Sequence, residues 1–346
     1  MSQPLVAILA ARGERVTVAA LPWVAPVYRA MPEVAEVVEM ALGHGRLDLA
    51  ERRRIAAGWR GRFDVAYVLP NSLKAALIPW LARVPLRIGY LGESRHVLLN
   101  RRLPNPPGRP PMVAFYRALA ALGAPAAAGS GARAASASRD DDAHAVATGH
   151  APRLHVDRDR AAALLDVHEL QAAGYWAFAP GAEYGSAKRW PAEHYAELAR
   201  SLHARSGAPV VLLGSRQERE LCEALAAGAP GACRVLAGVT SLDDSIALIA
   251  AARGVASNDS GLMHVAAAFG IPQVAMFGST SPLHTPPLNP HARVLWLKDE
   301  LQLDCAPCFD RECRFGHTRC LVGIEPARVE RALGEALAGV RRGSHG

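Results

Sequence analysis

Apolar runs alternate with polar breaks marked by glycine or proline along most of this chain, and the period of each run names its element. The first half reads as a helix over 3–11 and a strand over 16–20 that ends at Leu21-Pro22. A helix over 24–31 and strand character over 34–40 follow. Residues 64–69 (DVAYVL) form a buried strand running into Pro70-Asn71-Ser72, followed by a helix over 73–82 and a strand over 86–90 (LRIGY). The second half alternates more regularly. A helix over 159–165, a strand over 175–179, a polar loop over 180–191 and a helix over 193–206 lead to a strand over 209–213 (PVVLL). A helix over 217–227 precedes a short strand beginning at 235–236. Ser241 and Asp244 then stand at capping-box spacing before a helix over 242–252. A strand over 254–257, a helix over 262–269, a strand over 273–277 and a last helix over 326–340 complete the series. Strands alternating with helices predict an α/β fold of doubly wound parallel sheets, in two Rossmann-like domains. Such a domain ordinarily begins with a strand whose C-terminal loop faces the ligand cleft. Here the first element is a helix, and the expected first strand is absent.

Composition divides the chain. Residues 124–152 are low in complexity and rich in Ala, Ser, Gly and Asp, which predicts a linker. The domains expected are therefore 1–123, the linker 124–152, 153–325, and a C-terminal helical segment 326–346. At 346 residues the chain can build two cores. No apolar run reaches the ~18–20 residues of a membrane span, and the N-terminus lacks the basic segment and cleavage site of a signal peptide. Lys and Arg number 39 against 32 Asp and Glu, with a pI near 9.3, so an acidic partner is expected. The arginines are scattered, and no RNA-recognition or zinc-finger pattern is present; nucleic acid is not expected as a partner.

The candidate chemistry centres on residues 253–280. A strand ends there in Asn258-Asp259-Ser260-Gly261 and opens directly onto a helix, which Gly270 and Pro272 terminate. Free backbone N–H groups and the helix dipole make this an anion site, usually for phosphate. Asp259 is placed to accept from sugar hydroxyls, and Ser260 and His264 to donate to phosphate oxygens. Lys188, in the glycine-bearing loop after the strand 175–179, suits a diphosphate leaving group as a point charge. Glu218, after a strand and Gly214-Ser215, is positioned for nucleotide ribose hydroxyls, with Glu220 one register away. Four of the six cysteines, Cys305, Cys308, Cys313 and Cys320, follow C-x2-C-x4-C-x6-C with His317 among them, a spacing open to zinc. Disulfides are disfavoured in a cytosolic protein.

These stretches resemble the heptosyltransferases of glycosyltransferase family 9. The likeness rests on NDSGLMH at 258–264, GAEYGSAKRWP at 181–191 and LDCAPCFDRECRFGHTRC at 303–320. In the first half it rests on PNSLK at 70–74, LGHGR at 42–46 and RIGYLGESR at 87–95. The resemblance covers most of the chain outside the linker and implies a GT-B fold, two facing Rossmann-like domains with the last helix crossing back onto the first. It implies ADP-L-glycero-β-D-manno-heptose as donor and the first heptose of the lipopolysaccharide inner core as acceptor. It also implies inversion at the anomeric carbon, no cofactor and no metal in the reaction. Donor contacts carry over to Lys188, Glu218, Asp259, Ser260, Gly261 and His264. Lys74, Arg87 and Arg95 are candidates for a phosphorylated acceptor, although Leu91 stands where the family more often has a basic residue. The basic balance fits a cytoplasmic enzyme held peripherally at the inner face of an anionic inner membrane.

The likeness departs at the start. Relatives begin with a strand and a loop whose aspartate is taken as the general base, and Met1-Ser2-Gln3 corresponds to a position just past it. The base is therefore expected upstream of Met1, and the start codon to have been placed too late. His44 is the one cleft-side substitute. The competing expectations are a GT-B transferase for a different sugar and a chain that binds an ADP-sugar without transferring it.

Overall fold

A computed structural model describes residues 1–43, 46–123 and 151–343. The linker expected over 124–152 and the substitute base His44 lie outside the described residues, apart from 151 and 152. The chain divides into two compact units, Met1–His150 and Ala151–Gly346.

The first unit opens with the helix Gln3–Ala11. Its strands β1 (Val16–Ala20) and β2 (Val34–Glu39) pair in parallel as one sheet. β3 (Val65–Val68), β4 (Leu86–Tyr90) and β5 (Arg101–Leu103) form a second parallel sheet. Among the described residues nothing bridges β1 to β3, so the unit carries two short sheets where one continuous sheet is usual. Leu5 and Leu9 of the first helix bury against Ile88, Tyr90, Phe115 and Leu119. Tyr90 stacks on Phe115 at 3.8 Å between centroids and donates its hydroxyl to the Phe115 carbonyl at 2.7 Å. The helix Leu73–Leu81 starts where predicted, with Ser72 Oγ accepting from Ala75 N at 3.3 Å.

The second unit is a six-stranded, all-parallel sheet in the order β11-β10-β9-β6-β7-β8. These strands are β6 (Trp176–Ala179), β7 (Val210–Leu212), β8 (Cys233–Val235), β9 (Gly254–Asn258), β10 (Gln273–Phe277) and β11 (Ala292–Trp296). Every residue of β6, β7, β9 and β10 is buried. That is why they read as short, largely apolar runs without polar alternation: helices cover both faces of the sheet. The helix Ala192–Ser206 buries Tyr195, Ala196, Leu198, Ala199 and Leu202, a stripe at helical spacing, and stops at Gly207 with φ +66°. Gly270, at φ +69°, closes the helix Gly261–Ala268. Gly270 N bonds Ala267 O at 3.0 Å and Ile271 N bonds Ala266 O at 3.1 Å, the paired bonds of a left-handed C-cap.

The last helix, Pro326–Gly343, is part of the second unit. Its face of Val329, Ala332 and Leu333 is part of the second unit's core with Phe178, Leu198 and Met276, and it packs on the helix Ala192–Ser206 and on β9, β10 and β11. Each fully buried Val or Leu there contributes about 1.5–3 kcal/mol of transfer free energy.

Candidate active site

The second unit's chain runs from β6 outward through β7 to β8, then returns to the other side of β6 for β9, β10 and β11. The sheet order therefore reverses between β6 and β9, and open parallel sheets bind ligands beyond the carboxyl ends of their strands at such a point. Lys188 follows β6 and Asp259 follows β9. The two meet as an ion pair, Lys188 Nζ to Asp259 Oδ2 at 2.7 Å, with side chains 14% and 7% exposed.

Both loops are fixed from beneath by Asn258. Its Oδ1 accepts from Trp190 N at 3.0 Å and from the Tyr195 hydroxyl at 3.2 Å. Its Nδ2 donates to the carbonyls of Pro180 at 2.7 Å and Gly181 at 3.3 Å. This fully buried amide thus ties the end of β9 to both ends of the Lys188 loop.

Ser260 is the N-cap of the helix Gly261–Ala268 but its side chain caps nothing, and its Oγ is buried without a hydrogen-bond partner. Ser279 Oγ and Thr280 Oγ1, just past β10, are buried and unpartnered in the same way. Buried hydroxyls are normally bonded, so these three are disposed to receive a ligand. A Cβ on Gly261 would meet no atom within 4 Å, leaving the first N–H groups of the helix open to an approaching anion. Thr285 Oγ1 lies 3.4 Å from Asp259 Oδ1. Burial pushes the His264 imidazole down to about 4; the Asp259 carboxylate opposes that drop and the Lys188 ammonium adds to it. His264 is therefore a neutral donor or acceptor at pH 7, with no charge of its own to offer a phosphate.

Glu218 stands at the edge of this site. Its Oε2 accepts from Ser215 N at 2.8 Å and Ser215 Oγ at 3.0 Å, and a Cβ on Gly181 would lie 1.8 Å from its Oε1. The carboxylate is thus held at the mouth of the β6 and β7 loops. Glu220, two residues on, is exposed.

The structure adds residues that the sequence did not flag. Tyr184 lies 5.5 Å from Lys188 Nζ and 5.3 Å from the Arg311 guanidinium, measured from its ring centroid, and donates its hydroxyl to Phe309 O at 2.6 Å. Ala187 N bonds Arg311 O at 3.0 Å, and a Cβ on Gly185 would lie 2.1 Å from that carbonyl. The loop after β11 is thereby docked on the Lys188 loop, bringing Arg311 beside it. GAEYGS, with glycines on both sides of an aromatic residue, was the available sequence signal for that close approach.

In the first unit, two arginines expected at the acceptor are engaged with the scaffold. Arg95 is fully buried, with Nη1 donating to Pro70 O at 2.6 Å, and Nη2 to Asn71 Oδ1 at 3.1 Å and to the Tyr90 carbonyl. Arg87 donates to Leu98 O at 2.8 Å and Val84 O at 2.6 Å. Lys74, in the first turn of its helix, is half-buried.

A parallel sheet with a buried Lys–Asp ion pair and a helix N-terminus at its switch point has the form of the nucleotide-binding α/β class. The model of glycosyltransferase family 9 (heptosyltransferase) matches residues 52–319. The chain belongs to glycosyltransferase family 9. It is 42% identical to lipopolysaccharide heptosyltransferase 2 of Salmonella typhimurium over 98% of this chain and 94% of that protein. It is 39% identical to lipopolysaccharide heptosyltransferase 2 of Escherichia coli, over 97% and 94%. The solved structure of E. coli ADP-heptose lps heptosyltransferase II superposes with a TM-score of 0.80 at 35% identity, covering 98% of this chain and 95% of that one. That likeness places the fold in the GT-B class. Among the described residues no helix is long and apolar enough to cross a membrane.

Proposed function

We propose that the chain transfers L-glycero-D-manno-heptose from ADP-heptose to the first heptose of the lipopolysaccharide inner core, with inversion at the anomeric carbon. The observation that carries this reading is the Lys188–Asp259 pair at the β6/β9 switch point, beside the open N-terminus of the helix Gly261–Ala268. In the relatives' terms, an ADP diphosphate there would lie against the Gly261 N–H, the Ser260 hydroxyl and the Lys188 ammonium. Charge that develops on the departing diphosphate is met by groups already oriented toward it, which lowers the barrier without solvent reorganisation. Lys188 and the helix dipole supply that positive charge, so the reading needs no metal among the reacting groups.

Asp259 then exchanges part of its ion pair for donor hydroxyls, neutral His264 hydrogen-bonds beside the phosphates, and Glu218 receives the ribose. Lys74 remains the candidate contact for a phosphorylated acceptor. The formal net charge of +7 suits a cytoplasmic protein working peripherally at an anionic inner membrane on a phosphorylated glycolipid. Nucleic acid has no part in this reading.

The test is ADP release from ADP-heptose in the presence of inner-core acceptor bearing one heptose, without added divalent metal, alongside calorimetric binding of ADP-heptose and of other nucleotide sugars. Turnover with the β-linked donor giving an α-linked product supports the proposal, and Lys188→Ala should lower kcat by about 10²-fold or more. Preference for another nucleotide sugar would overturn the donor assignment. Tight ADP-heptose binding without turnover would overturn transfer by this chain and leave a binding protein.

A further inference from the structure

From Leu297 to Thr318 the second unit carries 22 residues without helix or strand. Irregular segments longer than about 12–15 residues are uncommon in compact domains unless something holds them. This one contributes few large apolar groups to the core; Phe315 is 58% exposed. Yet its backbone is placed closely, with Phe309 N on Ser279 O at 2.7 Å and Arg311 O on Ala187 N at 3.0 Å. The segment holds Cys305, Cys308 and Cys313, and Cys320 follows it in the short helix Arg319–Val322. All four are free thiols, and all four line one cavity of about 20 Å³ together with Ala187 and Ser279.

A space of that size holds about one water-sized particle. Its walls offer water few of the polar partners it needs, and they offer a soft cation four sulfurs. The backbone turns tightly at Cys313: Gly316 N donates to the Cys313 carbonyl at 2.9 Å, with Gly316 at φ +68° and Thr318 at φ +41°. The other two cysteines stand apart from this arrangement: Cys222 is buried in the apolar core and Cys233 lies on β8 at its edge.

We propose that Cys305, Cys308, Cys313 and Cys320 bind one thiophilic divalent cation, zinc by its preference for four thiolates in a tetrahedron, as a staple for the loop that carries Arg311. Binding releases the four thiol protons and leaves a tetrathiolate site of charge −2, which Arg314 on the cavity wall offsets. Among the described residues no three Cys, His, Asp or Glu side chains are already gathered as a metal centre. Capture of the ion therefore requires the four cysteine side chains that line the cavity to close on it. His317 is exposed and its Nδ1 accepts from Arg319 N at 3.1 Å, so it stays outside the ligand set.

The experiment is elemental analysis of the full chain expressed in zinc-supplemented medium and purified under reducing conditions. About one zinc per chain is expected in the wild type, in Cys222→Ser and in His317→Ala, with at least a ~5-fold drop in Cys308→Ser and Cys320→Ser. Because a cysteine variant can fail to fold, the wild-type protein is also stripped by chelation and titrated with cobalt(II). Sulfur-to-cobalt charge-transfer absorption that saturates at one equivalent supports the site. Substoichiometric zinc with no thiolate-to-cobalt band overturns it, as does a mass loss of four hydrogens with disulfides mapped among these four cysteines. None of these readouts depends on which sugar nucleotide the chain uses.

Discussion

Asp259→Asn and Lys188→Met remove opposite halves of one ion pair, and the structure predicts that they are not equivalent. Removing one partner of a fully buried pair costs about 3–5 kcal/mol because the other charge is stranded. Lys188 keeps 14% of its side chain exposed against 7% for Asp259, so water takes some of the load, and about 2–4 kcal/mol is expected for Asp259→Asn. In a unit of this size each kcal/mol moves Tm by about 2–4 °C, which gives a fall of about 4–16 °C. Lys188→Met leaves a carboxylate at the N-terminus of the helix Gly261–Ala268, with Thr285 Oγ1 at 3.4 Å. The helix dipole favours an anion there by about 0.3–1 kcal/mol and disfavours a stranded cation. Asp259→Asn should therefore be the less stable of the two by about 1 kcal/mol.

Ligand response should invert that order. Without Asp259 the site has lost the anion paired with Lys188 and attracts a diphosphate more strongly; without Lys188 it has lost the charge that binds one. Differential scanning calorimetry of both variants with and without saturating ADP, at low ionic strength, reads both effects. ADP should raise the transition of Asp259→Asn by more than that of the wild type, and that of Lys188→Met by less. Asp259→Asn should nevertheless lose discrimination of ADP-heptose over ADP, since it gives up the contacts proposed for the sugar. If the two variants lose equal stability and respond equally to ADP, Lys188 and Asp259 form a scaffold pair and the anion site lies elsewhere.

Three more outcomes test the surroundings. Gly185→Ala drives a Cβ to within 2.1 Å of the Arg311 carbonyl; an overpacking cost of about 1–3 kcal/mol and weaker ADP binding are expected, and unchanged denaturation and binding would mean that the two loops are not docked. Asp244 accepts from Ser241 N at 3.0 Å and from Arg160 Nη2 at 3.1 Å; burial raises its pKa, but the bonds from Ser241 and Arg160 outweigh it and hold the carboxyl below the usual range. Its contribution is then present above the unfolded carboxylate pKa and lost as pH falls through the depressed folded value. Asp244→Asn should accordingly cost about 0.5–2 kcal/mol at pH 7 and nothing once the carboxylate is protonated, as urea titrations across pH would show. The Cys313 thiol, raised by burial but lowered further by its four backbone N–H donors, lies below its ordinary pKa, while Cys222 is pushed up to about 12 and Cys320 to about 11. In chelator-treated protein, iodoacetamide at pH 7 should label Cys313 ahead of both, read by peptide mapping.

Local features were legible where a local cause produces them. Fully buried strands announced β6, β7, β9 and β10, the Ser241–Asp244 spacing announced its capping box, and Gly270 its helix end. β5, with two exposed arginines in three residues, and β11, half-buried at the sheet edge, carry no such pattern and escaped. Side-chain surroundings stayed hidden where a distant partner decides them. Arg95 reads as a ligand-binding arginine among glycines and polar residues, yet the backbone carbonyls of Pro70 and Tyr90 converge on it and take its donors. Glu218 reads as a ribose contact, and the Ser215-x-x-Glu218 spacing that also ties it to its own turn was in plain view.

Asn258 shows why such roles stay hidden. As a sequence position it is a polar residue opening a turn, and that chemistry alone suggests an Asx cap. In the fold its amide has four partners, all from residues 180–195, more than sixty positions away in the chain. Those partners exist only because β6 and β9 are neighbours at the switch point, a property of strand order that no window of sequence contains. The same adjacency brings Lys188 to Asp259. The two facts are therefore one: Asn258 sets the height of the Lys188 loop relative to the end of β9, and the 2.7 Å ion pair is measured across the distance it fixes. Truncating it would strand the Trp190 N–H and the Pro180 carbonyl at about 1–3 kcal/mol each and loosen the ion pair without touching either charge.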